Sequence, residues 1–199
     1  MPQAITLQRV RTVQGITVAW MTAEAGVSLF AAWRARSPAL VAFGGDSAIE
    51  VASAIVVLWR FRSNAVSEHL ERRAARIAGG LLFALAACVI ATSVMALLGY
   101  SEAKPSLLGI GILAAAAVLM PLLAREKRRL SAQTGSAALR ADAAESAICG
   151  YLSLIALAGL GMNAIWELRW ADPAAALLIV PLVVREGCEA MQGKACVCR

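Results

Sequence analysis

Six stretches of this chain, at about residues 12–33, 37–59, 77–101, 105–124, 141–166 and 170–184, are almost free of charge. No other feature restricts the fold as much, because a helix needs about 20 consecutive apolar residues to cross a bilayer. The third, fourth and fifth runs reach that length readily. The first and second do so only with Glu24, Asp46 and Glu50 counted inside them. The sixth is the shortest, since Pro173 to Val184 is twelve uncharged residues. It spans if it starts near Trp170 and lets the Arg185 side chain snorkel to the surface. With 60% hydrophobic and 16% charged residues, the 199-residue chain has too little polar surface for a soluble domain. The expectation is an all-α membrane protein of six transmembrane helices. Residues 1–191 form its single domain and 192–199 a short cysteine-containing tail. Five helices plus an interfacial segment is the alternative.

Lysine and arginine set the expected orientation. With both termini inside, fifteen of the nineteen fall in inner segments, and only Arg34, Arg36, Lys104 and Arg169 lie outside. That asymmetry predicts cytoplasmic termini. Trp33, Trp59, Trp166 and Trp170 fall near run ends, where interfacial anchors belong. The N-terminal stretch lacks the layout of a secretory signal. Five cysteines, an odd number, argue against a disulfide framework. The net charge of +6 sits in loops that topology explains, so no nucleic-acid partner is expected. Plentiful Ala, Arg and Gly with little Lys match a GC-rich bacterial source, and hence an inner (cytoplasmic) membrane.

Two motifs stand out in this background: "DSAIE" at 46–50 and "ESAIC" at 145–149. Residues four apart share one helix face. Asp46 and Glu50 therefore project together from the second helix, and Glu145 and Cys149 from the fifth. An ionised carboxylate at mid-bilayer costs on the order of 3 kcal/mol, so these groups should face the bundle interior. The residues then allow two readings. Four converging ligands, three oxygen-bearing and one sulfur, suit a tetrahedral divalent transition metal, and the same atoms bind protons in competition with it. Alternatively, intramembrane acids hold helices together. The second and fifth runs contain no Lys or Arg, which leaves the charge to a mobile cation.

Five segments, "ITVAWMTAEAGVSLFAAW", "LVAFGGDSAIEVASAIVVLWRFR", "ERRAARIAGGLLFALAA", "ADAAESAICGYLS" and "WADPAAALLIVPLVVREGCEA", together resemble the transmembrane part of the cation diffusion facilitator (cation efflux) family. The resemblance runs in order from about residue 13 to 191. It implies six helices, a homodimer, and divalent-metal export driven by proton counterflow. It also implies that paired ligands on helices two and five form the transport site. Those positions fall on Asp46, Glu50, Glu145 and Cys149. Only Asp46 keeps the common residue type: Glu50 stands for the usual Asp, Glu145 for a common His, and Cys149 for a common Asp. Zn2+ is the expected cargo, with Cd2+, Fe2+, Co2+ and copper(I) left open by the altered ligands. The chain is expected to be a short form without the cytoplasmic metal-binding domain of typical members, so a dimer would rest on membrane helices.

Other residues admit two uses each. Glu24 is a proton relay or accessory to the site, or a bundle-facing acid bonded to a neighbour. Asp142, three residues before Glu145, lines the cation's approach or complements a helix dipole. Asp172 followed by Pro173 reads as an N-cap with proline at N1. His69, beside Glu68 and Glu71 in a loop, is a solvated histidine or a peripheral metal ligand. Cys196 and Cys198 form a tail that is frayed or collects soft metal. Cys88 reads as an inert packing residue. The run Ala114–Ala117 and the glycine pairs 44–45 and 79–80 permit close helix contact. The functional expectation is a secondary transporter, not an enzyme, that needs no cofactor and carries metal and protons across the lipid bilayer. The rivals are a membrane metal-binding module that does not transport, and a structural partner retaining a degenerate site.

Overall fold

The computed structural model describes the backbone of residues 2–62, 68–134 and 137–192, and the side chains of 8–52, 76–133, 140 and 142–192. Within these limits there are six α-helices and no strand: α1 (Pro2–Ala35), α2 (Pro38–Arg62), α3 (Glu68–Leu97), α4 (Leu107–Thr134), α5 (Ala137–Trp166) and α6 (Ala171–Met191). They stand in two rows of three. The first row is α1, α2 and α3, and the second is α4, α5 and α6, with α1 against α4, α2 against α5 and α3 against α6. Helix α2 also touches α6, so it contacts four neighbours. Its N-terminal half is accordingly buried all round, with Ala39, Leu40, Ala42 and Phe43 at the centre of the core.

Polarity is inverted relative to a water-soluble protein. Large apolar side chains such as Leu81, Val94, Leu107, Val118, Leu122 and Leu154 face outward. Thr17, Glu24, Ser28, Asp46, Ser47, Ser93, Lys127, Ser146, Ser153 and Asn163 are buried. Hydrocarbon outside and hydrogen-bonding groups inside is the distribution that a bilayer imposes. Among the described residues, four helical stretches are long and apolar enough to cross a membrane: Gln8–Ala35, Arg76–Leu97, Leu107–Gln133 and Asp142–Trp166. Helix α6 is not among them. Any 18-residue stretch of it includes Arg185, Glu186 and at least one of Asp172 and Glu189.

The helices overrun the apolar runs. The polar segment 126–140, expected as a loop, is almost wholly helical, since α4 continues to Thr134 and α5 begins at Ala137. Residues 125–134 are mostly strong helix formers with no glycine or proline, so the charge that ends the apolar run does not end the helix. His69, likewise expected in a loop, lies in the first turn of α3. Its side chain, that of Trp59, and the tail with Cys196 and Cys198 lie outside the described residues. Cys88 faces outward from α3 instead of packing between helices. Trp33, Trp166 and Trp170 are exposed near helix ends.

The turns follow from local chemistry. After α1, the Ser37 amide donates to the Ala32 carbonyl, closing a C-terminal cap with Arg36 in the left-handed region at φ 53°. Gly99, at φ 84°, plays the same part after α3, where the Tyr100 amide donates to the Met95 carbonyl. The 98–106 connection is pinned by the Lys104 amide on the Ala35 carbonyl, at 2.7 Å, and by Asn163 Nδ2 on the Ala103 carbonyl, at 2.9 Å.

Asp172 corrects an expectation. The N-cap of α6 is Trp170, and Asp172 lies in the first turn. Pro173 fits there because an amide in the first turn has no helical partner to lose. The Asp172 carboxylate, wholly buried, serves α2 instead. Ser37 Oγ donates to Asp172 Oδ2 at 2.5 Å, the Ala39 amide donates to Oδ1 at 3.3 Å, and the Leu40 amide donates to Ser37 Oγ at 3.2 Å. An acid of one helix thus completes the N-terminus of another.

Glycines set the close approaches. A Cβ on Gly44 would lie 2.9 Å from Ser28 Cβ, and one on Gly79 would lie 2.9 Å from the Gly187 carbonyl oxygen. Gly80 has nothing within 4 Å, so only its partner in the pair serves the contact.

Two measurements of thermal unfolding in detergent test this account. Gly79→Leu should lower stability by about 1–3 kcal/mol through overpacking against α6, while Gly80→Leu should be tolerated. Asp172→Ala should cost about 1–3 kcal/mol by orphaning donors at the start of α2, and adding Ser37→Ala should cost little more, because the two share one network.

Candidate cation site

The site is built from the periodicity of α2. Asp46 and Glu50 share one face, while Ser47 points about 100° away. The two faces meet different neighbours. Asp46 and Glu50 meet Glu186 of α6, and one carboxylate oxygen from each of the three lies within 4.8 Å of the others. Asp46 is only 1% exposed, and its Oδ1 has no hydrogen-bond partner. Glu50 Oε2 also lacks a partner. At a rise of about 1.5 Å per residue, Glu50 lies about 18 Å into α2 from its N-terminus, near the middle of the bundle.

The other face of α2 meets a second hydrogen-bonded group, close enough that Glu24 and Cys149 feel the charges of Asp46 and Glu50. Glu24 of α1, wholly buried, accepts three hydrogen bonds: from Trp20 Nε1 at 2.6 Å, from Ser47 Oγ at 2.9 Å and from Cys149 Sγ at 3.3 Å. Of the four ligands expected from sequence, Asp46 and Glu50 thus sit in the carboxylate triad. Cys149 is buried but turned to Glu24. Glu145 is exposed, but it lies within electrostatic reach of Asp46, Glu50 and Glu186 as well as of Asp142 and Lys127.

A third network lies toward the end of the bundle that carries the start of α1. Lys127 of α4, wholly buried, donates to Asp142 Oδ1 at 2.8 Å and to Ser146 Oγ at 2.9 Å. Gln14 Nε2 donates to Asp142 Oδ2 at 2.6 Å, and Arg9 pairs with Glu126 at 2.9 Å. These contacts tie α1, α4 and α5 together. Asp142 is therefore a tether as well as a neighbour of Glu145.

Three like charges so close are unstable alone. At an effective dielectric of about 20, each pair at this separation repels by roughly 3 kcal/mol. A divalent cation or shared protons must neutralise the cluster. Metal–oxygen bonds of about 2.0–2.2 Å hold opposed oxygens no more than about 4.4 Å apart, so a small side-chain rotation would bring all three onto one ion.

The sequence model of the cation efflux transmembrane domain matches residues 16–190. The chain belongs to the cation efflux family. Among curated proteins the search found no match. As a cation efflux protein it is an integral membrane transporter of cations.

Glu186 is the residue that sequence reasoning missed. It follows Arg185 where the sixth apolar run stops, and so reads as part of a solvated helix end. The signal was the shortness of that run: a helix obliged to continue past Val184 carries its next acid inside.

The Lys127–Asp142 pair should show energetic coupling. In a double-mutant cycle of Lys127→Met and Asp142→Asn followed by thermal unfolding, the expected interaction is roughly 0.5–3 kcal/mol, with the double variant less damaged than the sum of the singles.

Proposed function

We propose that this protein exports divalent transition-metal ions from the cytoplasm, Zn2+ first among them, in exchange for protons, and that Asp46 and Glu50 form the heart of the transport site. The observation that carries this reading is the convergence of ligand oxygens from Asp46, Glu50 and Glu186 around a buried acid with an unpartnered oxygen. Carboxylates bind metal only when deprotonated, so metal and protons displace one another there, which is the basis of exchange. Glu145, exposed and near Glu186, offers a carboxylate on the cation's path to this cluster, while Cys149 stays with Glu24. Binding near mid-membrane with alternating exposure is the general logic of secondary transport. In this reading all six helices span the membrane, both termini are cytoplasmic as the lysine and arginine distribution favours, the protein is a homodimer in a bacterial inner membrane, and no covalent chemistry is involved.

A non-transporting metal-binding module is the competing class. Purified protein in sealed vesicles separates the two. A carrier accumulates Zn2+ when a pH gradient is imposed, whereas a binder saturates at stoichiometric metal. Accumulation is expected for the wild type and should be lost in Asp46→Asn. Uptake without a gradient requirement, or full uptake by the variant, would refute the proposal.

A further inference from the structure

We infer that Glu186 is the third ligand of the cation site and that the site holds its cargo through oxygen alone, with the Cys149 sulfur kept out of the coordination shell by Glu24. The inference rests on the proposed transport function and narrows its cargo. Three observations carry it. Glu186, from a helix that sequence reasoning gave no ligand, has an oxygen within 4.8 Å of those of both Asp46 and Glu50. Asp46, almost wholly buried, presents to this cluster an Oδ1 that no donor satisfies, and a buried acceptor of that kind calls for a cation or a proton. Cys149 Sγ, equally buried, is engaged at 3.3 Å with Glu24 Oε1, which also receives Ser47 Oγ.

Ligand type selects the ion. Carboxylate oxygen suits manganese and other hard divalent ions, and zinc also accepts it, whereas thiolate favours softer ions. The cargo class is therefore divalent ions content with oxygen, among them Mn2+ and Zn2+. Cd2+ gains nothing from sulfur here. Helix α6 becomes a ligand-bearing helix, and the site joins the first row of helices to the second through two carboxylates from α2 and one from α6.

The test uses the purified full chain in detergent with Mn2+ as the probe, binding being read from loss of the free-ion paramagnetic resonance signal. Glu186→Gln should weaken Mn2+ binding roughly 10- to 100-fold, since loss of even an outer partner of a metal ligand has that effect. Cys149→Ser should leave it unchanged, and any thiolate-to-metal ultraviolet band that Cd2+ produces through the other four cysteines should be the same in Cys149→Ser as in wild type. Mn2+ binding by Glu186→Gln equal to wild type would overturn the inference. So would a Cd2+ band that disappears in Cys149→Ser. If Glu186→Gln does not fold, Glu186→Asp takes its place, with weaker Mn2+ binding expected and equal binding again overturning the inference. Asp46→Asn separates the two levels. Loss of binding there with none in the Glu186 variant removes this inference alone, whereas unaltered binding in Asp46→Asn removes the transport site itself.

Discussion

Mutual repulsion among Asp46, Glu50 and Glu186 is the constraint around which the bundle is organised. Carboxylates inside an apolar layer must be neutralised, and the one wholly buried lysine among the described residues, Lys127, is committed to Asp142 and Ser146. What remains is a small, charge-hungry cluster held by two helices from different rows. A fixed lysine in that place would have made a stable core.

Helix α2 can serve this purpose because it touches four neighbours and presents different chemistry to each side. Its N-terminus is finished by Asp172 from α6, its Ser47 side joins Glu24 and Cys149, and its Asp46 side faces Glu186. The wholly buried acids Glu24 and Asp172 are each satisfied by several donors, as structural polar groups in a low-dielectric interior must be. Asp46, almost equally buried, retains an unsatisfied oxygen. Satisfied and unsatisfied buried acids thus stand side by side on α2 and its neighbours.

Much of this was legible in the sequence. Apolar runs announced the helices, and the four-residue spacing placed Asp46 with Glu50 on one face. Spacing says which residues share a face but not which helix lies opposite. Cys149 and Glu145 share a period, yet Cys149 meets Glu24 and Glu145 opens outward. Glu186 was hidden because hydropathy reports where apolar residues stop, while the helix carries on. The same cause hid the helical character of residues 126–134. Asp172 misled for a related reason: Asp-Pro is a local signature of a helix start, and its partner was remote in sequence.

The meeting of α3 and α6 at Gly79 and Gly187 bears on motion. There one helix's main chain comes close to the other's, with the Met191, Leu82 and Phe83 side chains packed around the approach. Rods in such contact do not slide independently. A displacement that withdraws Glu186 from Asp46 while α3 and α6 stay together would part them from α2 and α5 alike.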